Sequence, residues 1–330
     1  MDAQEATKQI NELKHSLGIT IAAHYYQRDE VIAVADLVGD SLELSRKASG
    51  DPNEFLVFCG VGFMAQSVKT LAPNKRVFMP RTACCSMARM IDGNSYDRSI
   101  AAMKAAGIAP ENIMPITYIN SQAEIKARVA KMGGLVCTSA NAETIIRSAL
   151  ASGKKIFFIP DRCLGLNLAK RIGITAAVLG RDADFASADL IAFDGFCSVH
   201  QLFTPENIHF YRAKFPDILI AVHPECDPAV VDLADFVGST SQIIKWVQAQ
   251  PIAQKIAVGT EFNLVNRLRA ENTFVLSSTK PECPTMNETT LGDVLGVIRS
   301  IENGTFMNEM FVEEEERKWA KIALDRMLAL

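Results

Sequence analysis

The feature that most constrains the fold of this chain is an internal repeat that occurs three times. Segments starting at residues 20, 114 and 219 each begin with a short apolar strand and continue into a polar cluster, which reads HYYQ, YINS or HPEC. A helix follows each cluster, with apolar residues at three- and four-residue intervals, and leads to a second strand ending near Ser or Thr. Such a repeat predicts three copies of one supersecondary unit.

The rest of each copy also aligns. A strand, turn and helix follow in EFLVFCGVGFMAQSVKTL, KKIFFIPDRCLGLNLAKRI and QKIAVGTEFNLVNRLR, and then an apolar strand leads into a cysteine-bearing loop in RVFMPRTACCSM, DLIAFDGFCSVH and TFVLSSTKPECPTM. Strands that alternate with helices predict parallel sheets covered on both faces. We therefore predict an α/β protein of three similar α/β/α domains, arranged with pseudo-threefold symmetry around a central active site. The expected domains are residues 1–96, 97–196 and 197–284, with residues 285–330 packing back on the first.

The composition is that of a globular protein without an obvious macromolecular partner. Of the 330 residues, 48% are hydrophobic and 22% charged, and the net charge of −4 gives no reason to expect nucleic acid or an anionic membrane as partner. The amino-terminal segment has mixed charges and lacks the pattern of a signal peptide, and no apolar run is long enough to span a membrane. We expect a cytoplasmic protein.

The eight cysteines include no CxxC pair, which argues against a zinc ribbon or a thioredoxin-like motif. One cysteine of each copy falls at the same place in the repeat: Cys84 or Cys85, then Cys197, then Cys283. The carboxyl ends of parallel strands gather functional groups, so these three thiols are expected to meet at the centre. Three thiolates can hold zinc with a fourth ligand, or a [4Fe–4S] cluster with one open iron that acts as a Lewis acid.

The polar clusters at the first strand ends supply candidates for acid–base chemistry. His24 and Tyr26 can act as a donor and a proton shuttle, or can simply bond to the backbone. Tyr118 and Asn120 alternate along an extended segment and so share a face, although Asn120 could instead cap the next helix. His223 and Glu225 also share a face, with a surface ion pair as the alternative.

Three hydroxyl residues stand at the ends of the second strands, each before a helix. They are Ser41, Ser139 and Thr240. Ser and Thr are ordinary helix caps, but a hydroxyl at a helix amino terminus is also suited to binding an anion.

The tetrapeptide GDSL at residues 39–42 offers a rival interpretation as a serine esterase. Such an esterase also needs an Asp-x-x-His segment near the carboxyl terminus. The five histidines are His15, His24, His200, His209 and His223, and none lies there. A short motif is weak evidence without this second segment, so we do not expect an esterase.

Taken in order, the short motifs resemble those of the quinolinate synthase family from about Ile19 to about Leu295. They include AHYYQRDEV, VFCGVGFMAQSVKTL, CSMARM, TYINS, TSANA, CSVH, HPEC, GSTSQII and CPTMNETTL. The resemblance implies a bacterial enzyme of NAD biosynthesis that condenses iminoaspartate with dihydroxyacetone phosphate to quinolinate, phosphate and water. It also implies a [4Fe–4S] cofactor and small-molecule substrates, with an iminoaspartate-producing oxidase or dehydrogenase as a functional link. Another three-cysteine [4Fe–4S] hydro-lyase, or a zinc-binding protein of the same fold, is the alternative.

The family motifs assign the cluster ligands residue by residue. The cysteine directly before SM is Cys85, and Cys197 and Cys283 match the other two ligands, whereas Cys84 is only a neighbour. Two residues depart from the family pattern: Gln66 replaces a usual Glu, and Cys163 stands where His or Asn is more common.

The same resemblance assigns the remaining roles. The catalytic residues it implies are His24, Tyr26, Tyr118 and Glu225. The substrate-binding residues it implies are His24, Ser41, Tyr118, Asn120, Ser139, His223, Glu225 and Thr240.

Overall fold

In the computed structural model, which describes residues 2–268 and 271–330, the strands form three parallel sheets. The first sheet contains β1 (Ile19–His24), β2 (Leu37–Gly39), β3 (Phe55–Cys59) and β4 (Arg76–Phe78), in the order β2-β1-β3-β4. Its helices are α1 (Ala3–Ser16), α2 (Asp29–Ile32), α3 (Ser41–Gly50) and α4 (Gly62–Leu71). All six residues of β1 are buried, as expected for a strand covered on both faces.

The second unit has five strands. Two helices, α5 (Ser86–Arg89) and α6 (Gly93–Ala105), precede it. Its strands are β5 (Ile113–Tyr118), β6 (Leu135–Cys137), β7 (Lys155–Ile159), β8 (Ala176–Val178) and β9 (Leu190–Ala192), in the order β6-β5-β7-β9-β8. Its helices are α7 (Ala123–Lys131), α8 (Ala142–Leu150) and α9 (Arg162–Ile172), and short 3₁₀ turns span Pro110–Asn112 and Phe185–Ser187.

The third unit repeats the strand order of the first. After a 3₁₀ turn at His200–Leu202, its strands are β10 (Leu219–Val222), β11 (Phe236–Val237), β12 (Ile256–Gly259) and β13 (Thr273–Val275), in the order β11-β10-β12-β13. Its helices are α10 (Pro205–Lys214), α11 (Pro228–Val231), α12 (Thr240–Gln248) and α13 (Phe262–Leu268). The predicted fold class, α/β with three parallel-sheet α/β/α units, is confirmed.

The carboxyl-terminal segment divides between two units. Helix α14 (Leu291–Glu302) packs on α1 and β3 of the first unit, whereas α15 (Glu314–Leu328) packs mainly on α7 and β6 of the second and also touches α4. The prediction placed all of residues 285–330 against the first unit, but the second unit also takes part. The domain boundaries themselves remain a prediction.

The linker between these two helices covers the edge of the first sheet. The Met79 backbone N–H donates to the Asn308 carbonyl, and the Met310 N–H donates to the Val77 carbonyl. Backbone groups on the exposed side of β4 are thereby paired, which protects an edge strand from pairing with another chain. No helix in the described part of the chain is both long and apolar enough to cross a membrane.

Candidate active site

The carboxyl-terminal ends of the three sheets surround one central cavity. Every residue selected from the sequence for chemistry contributes to its wall. These residues are His24, Tyr26, Ser41, Cys85, Tyr118, Asn120, Ser139, Cys197, His223, Glu225, Thr240 and Cys283. The convergence follows from the repeat, because parallel strands direct their following loops to one edge of each sheet.

In two of the three copies, the loop after the first strand contains a histidine whose ring accepts a hydrogen bond from the backbone two residues later. The Nδ1 atom of His24 accepts a hydrogen bond from the Tyr26 backbone N–H at 3.1 Å, and Nδ1 of His223 accepts one from the Glu225 N–H at 3.3 Å. The pKa of each ring is lowered to about 3, chiefly by burial, and the nearby charge of Arg267 contributes to the lowering for His24. Both rings are therefore neutral at pH 7, with the proton on Nε2.

Glu225 lies at the centre of the buried polar groups. Its Oε1 accepts a hydrogen bond from the Tyr118 hydroxyl at 2.6 Å, and its Oε2 lies 2.9 Å from Nδ1 of His200. Burial opposes ionisation, but His223, His200 and the hydrogen bonds from His200 and Tyr118 outweigh it and lower the pKa of Glu225. The site therefore holds an ionised carboxylate only 3% exposed.

The Tyr26 hydroxyl bridges two threonines of the third unit. It lies 2.9 Å from Oγ1 of Thr240 and 3.0 Å from Oγ1 of Thr260, and Thr260 Oγ1 in turn lies 3.1 Å from Nε2 of His200. Burial raises the pKa of Tyr26 and of Tyr118 well above the usual value, and the charge of Glu225 adds to the effect. Both phenols are protonated at neutral pH.

The hydroxyl residues at the second strand ends lie beside the helix caps rather than acting as caps. Asp40 and Ser239 cap α3 and α12, each in a capping box, so Ser41 and Thr240 occupy the first helical position. Asn141 precedes α8, which leaves Ser139 in the turn before it. The alternative interpretation of these three as ordinary caps is therefore wrong.

Asn120 is not a helix cap either, since Gln122 holds that position before α7. Its Oδ1 atom is buried and has no hydrogen-bond partner among the described residues. The carbonyls on either side of it, those of Ile119 and Ser121, accept hydrogen bonds from the buried Lys126 ammonium. The loop is thus held by its own helix, while Asn120 lines the cavity and its buried amide oxygen has no partner among the described residues.

The three candidate ligand cysteines differ from most other cysteines in exposure. Cys85, Cys197 and Cys283 are partly exposed at the cavity, whereas the remaining cysteines apart from Cys84 are buried: Cys59, Cys137, Cys163 and Cys226. Burial raises the pKa of the Cys85 thiol to about 12, and it also raises the pKa of Cys197 and Cys283. The charge of an ionised Cys283 raises the pKa of both Cys85 and Cys197, and that of Cys85 also raises the pKa of Cys197.

One compact set of metal-ligating atoms is present in residues 2–268 and 271–330. It comprises Cys197, His200 and Glu225, whose donor atoms lie within 4.8 Å of one another. The three cysteine sulfurs do not form such a compact group among the described residues.

Gln66 and Cys163, which depart from the family pattern, do not line the cavity, and neither does Cys84. Oε1 of Gln66 accepts a hydrogen bond from the Ala123 N–H at the start of α7, at 3.1 Å. Cys163 is buried beside the Gln201 amide. Cys84 accepts a weak hydrogen bond from the Gln122 side chain at 3.3 Å, and it does not line the cavity as its neighbour Cys85 does.

Three buried residues at the site were not selected from the sequence. They are His200, Thr260 and Glu261, of which Glu261 accepts hydrogen bonds from the backbone N–H groups of Leu264 and Cys283. Burial raises the pKa of Glu261 to about 8. His200 is in the CSVH motif, three residues after Cys197, which is the signal that could have identified it.

The cavity has an unusual balance of charge. Among the described residues that line it, none is Lys or Arg, while Asp40 and Glu225 are acidic. Among the described lining residues, the groups that can bind an anion are therefore neutral donors: the hydroxyls, the histidine Nε2–H groups and backbone N–H groups near helix starts.

Comparison with known proteins gives a consistent result. A family model described as quinolinate synthetase A protein matches residues 8–329. The chain is 54% identical to the quinolinate synthase of Helicobacter pylori strain HPAG1, with 97% of each chain covered. It is 41% identical to the quinolinate synthase of Streptomyces coelicolor, over 96% of this chain and 86% of that one. The corresponding enzyme of Listeria innocua is 39% identical, over 100% and 95%.

Proposed function

This chain belongs to the quinolinate synthase family of enzymes, and from that premise we propose that it condenses iminoaspartate with dihydroxyacetone phosphate. The products are quinolinate, inorganic phosphate and two water molecules. The observation that carries the proposal is the convergence of one His/Tyr, one Tyr/Asn and one His/Glu pair on a single cavity. Three loops of one repeat thereby supply different chemistry to one substrate complex.

The residues present fit a [4Fe–4S] cluster. Cys85, Cys197 and Cys283 come from three different copies of the repeat and line one cavity. Their thiols are buried enough to stay protonated without a metal, so binding would release protons. When bound by three cysteines, such a cluster leaves one iron without a protein thiolate and supplies a Lewis acid for the loss of water.

The acid–base work is assigned to Glu225, Tyr118 and Tyr26. An ionised, buried carboxylate can take a proton from the substrate, and a neighbouring protonated phenol can give one to a leaving oxygen. The Tyr118–Glu225 hydrogen bond of 2.6 Å places one group of each kind side by side. Tyr26 supplies a second protonated phenol on the opposite copy of the repeat.

Substrate binding is assigned to groups that carry no formal charge. Ser41 and Thr240 lie in the first turn of α3 and α12, where backbone N–H groups and the helix dipole favour a carboxylate or a phosphate. Ser139 and the Nε2–H groups of His24 and His223 add further donors. The unpaired Oδ1 of Asn120 is suited to accept a hydrogen bond from the imine or a substrate hydroxyl.

The test is an assay of anaerobically reconstituted protein. Supplied with iron and sulfide, then with iminoaspartate and dihydroxyacetone phosphate, it should form quinolinate. Brief exposure to air should remove iron and activity together, because an iron without a protein ligand is accessible to oxygen. Full activity in metal-free protein would refute the cluster, and no quinolinate from fully loaded protein would refute the reaction.

A second candidate is a protein with a single metal ion. The compact group of Cys197, His200 and Glu225 favours it, because these are ordinary ligand types for zinc. Metal analysis after anaerobic purification distinguishes the two candidates. One zinc per chain with no acid-labile sulfide would support the single ion, and iron with equal sulfide would support the cluster.

A further inference from the structure

The central cavity has no Lys or Arg among the described residues that line it, yet the ligands assigned to it are anions. We propose that Lys126 supplies positive charge to the cavity from behind its wall, and that an anion bound beside Asn120 is recognised through this charge. Lys126 lies in α7, is only 1% exposed and does not itself line the cavity. The inference rests on the proposed function in one respect, that the ligands carry carboxylate or phosphate groups.

The amino group of Lys126 contacts the cavity wall on two sides. Its Nζ atom donates to the Ile119 carbonyl at 2.9 Å and to the Ser121 carbonyl, which flank Asn120. The same atom lies over the Phe63 ring, 5.6 Å from its centroid. Ile119 of the second unit and Phe63 of the first both line the cavity. A charge on Lys126 therefore lies one residue behind the wall.

No carboxylate among the described residues pairs with Lys126. Burial lowers its pKa to about 7, and no charged neighbour contributes to the shift. An anion on the other side of the wall would provide the absent counter-charge and stabilise the protonated form. The charged groups on and around α7 have other contacts: Arg128 pairs with Asp97 and Glu124, Lys131 pairs with Glu315 beside Glu316, and Lys69 and Arg326 donate to backbone carbonyls.

The hydrogen bonds of Lys126 also indicate which group of the wall would contact the anion. The Ile119 carbonyl belongs to the same peptide group as the Asn120 N–H, and that N–H has no acceptor among the described residues. A cation bound at the carbonyl oxygen polarises the peptide and makes its N–H a stronger donor. The Asn120 N–H is therefore suited to bind a carboxylate or phosphate oxygen.

The decisive comparison is Lys126→Met with Lys131→Met, which removes the same charge from the exposed side of α7, in reconstituted protein of equal iron content. Calorimetry at pH 7 gives the affinity for quinolinate, a dianion, and for picolinate and nicotinate, which each lack one carboxylate. In Lys126→Met the affinity should fall about tenfold for quinolinate and by less, about threefold, for at least one monoanion, since the interaction scales with charge. Lys131→Met should bind all three as the wild-type protein does. Equal losses for all three ligands in Lys126→Met would overturn the proposal.

A second variant leaves Lys126 in place, in case Lys126→Met proves unstable. Oε1 of Gln66 accepts from the Ala123 N–H, two residues after the Ser121 carbonyl, so Gln66→Glu keeps this bond and adds a carboxylate near Lys126. It should also weaken quinolinate binding about tenfold, and unchanged affinity would overturn the proposal.

The third measurement is the proton taken up when quinolinate binds, obtained from calorimetry in two buffers of different ionisation enthalpy. The wild-type protein should take up about half a proton at pH 7, because the anion raises the pKa of Lys126. Gln66→Glu should take up clearly less, whereas protons bound by other groups are common to both proteins. Equal uptake would overturn the proposal. Wild-type protein that neither binds nor forms quinolinate would instead refute the proposed function, so the two failures are distinguishable.

Discussion

The first and third copies of the repeat share one backbone turn but present side chains of opposite character to the cavity. In both, a neutral histidine accepts a hydrogen bond from the backbone N–H two residues later. That second residue is Tyr26 in the first copy, with its pKa raised, and Glu225 in the third, with its pKa lowered. The turn that the two copies share positions the side chain, and the residue type determines whether that side chain donates or accepts a proton.

The two loops are also supported in a similar way from outside. The Asn167 amide, from α9 of the second unit, donates to the carbonyls of Pro224 and Cys226, both at 2.9 Å. Asn263, from α13 of the third unit, donates to the Tyr26 carbonyl at 3.0 Å. In each case the helix of the preceding unit holds the loop of the next. Two of the three active-site loops therefore depend on a neighbouring unit for their position.

The largest effect on turnover should follow from a substitution of Glu225 that removes its charge, since this charge distinguishes the loop of the third copy from that of the first. Glu225→Gln keeps the shape but removes the charge that accepts from Tyr118 and His200. We expect turnover to fall by about a thousandfold or more, because the general base is lost. Quinolinate assays at equal iron content provide the measurement. A loss of less than tenfold would show that Glu225 is not the base.

Removing the hydroxyl of the first loop should have a smaller effect. In Tyr26→Phe, Thr240 and Thr260 lose their shared partner but the carboxylate is intact, so turnover should fall by about 100-fold. Tyr25→Phe is the matched control, because Tyr25 is the adjacent residue and does not line the cavity. Equal losses in the two variants would argue for a structural effect of the loop alone.

Removing the hydrogen bonds that support the Glu225 loop should reduce turnover by less than either of these substitutions. Asn167→Ala leaves two carbonyls without their donor, and we expect turnover to fall by about tenfold through displacement of Glu225. The free energy of unfolding should decrease by about 1–3 kcal/mol, the cost of unpaired buried groups. Asn263→Ala, measured in parallel, loosens the Tyr26 loop instead. Unchanged turnover in Asn167→Ala, despite a similar loss of stability, would show that the loop holds its position without the amide.

The smallest predicted effect is on the pH dependence of the free energy of unfolding. The pKa of His24 is about 3 when folded and 6.5 in its usual state, so below pH 6.5 the unfolded chain binds a proton that the folded chain does not. The stability that this histidine supports is complete above pH 6.5 and is lost as the pH falls towards 3. Between pH 7 and 5, the free energy of unfolding should therefore decrease by about 1–2 kcal/mol less in His24→Gln than in the wild-type protein, as measured by denaturant unfolding.

His209→Gln is the control for this titration, because His209 is exposed on α10. Its stability profile should follow that of the wild-type protein. A wild-type slope in His24→Gln would mean that the ring titrates alike in the folded and unfolded chain.

The sequence was sufficient to predict the three sheets and the wall of the cavity, for a physical reason. Apolar runs followed by polar clusters mark strand ends, and alternating positions such as those of Tyr118 and Asn120 share a face. It was not sufficient for Thr260, because the aligned positions in the other copies are Gly60 and Pro160, and nothing in the pattern indicates a hydroxyl. His200 ends the cysteine loop of the second copy, on a 3₁₀ turn, and only the folded chain brings it to Glu225.

The central claim is that three copies of one repeat contribute one cysteine each to a shared cluster. Iron and sulfide per chain, measured after anaerobic reconstitution of single Cys→Ser variants, test it most directly. We predict four of each in the wild-type protein, as the cluster type requires, and in Cys84→Ser and Cys59→Ser. Cys85→Ser, Cys197→Ser and Cys283→Ser should lose most of both. Normal iron in Cys85→Ser with loss in Cys84→Ser, or equal loss in Cys59→Ser, would contradict the account.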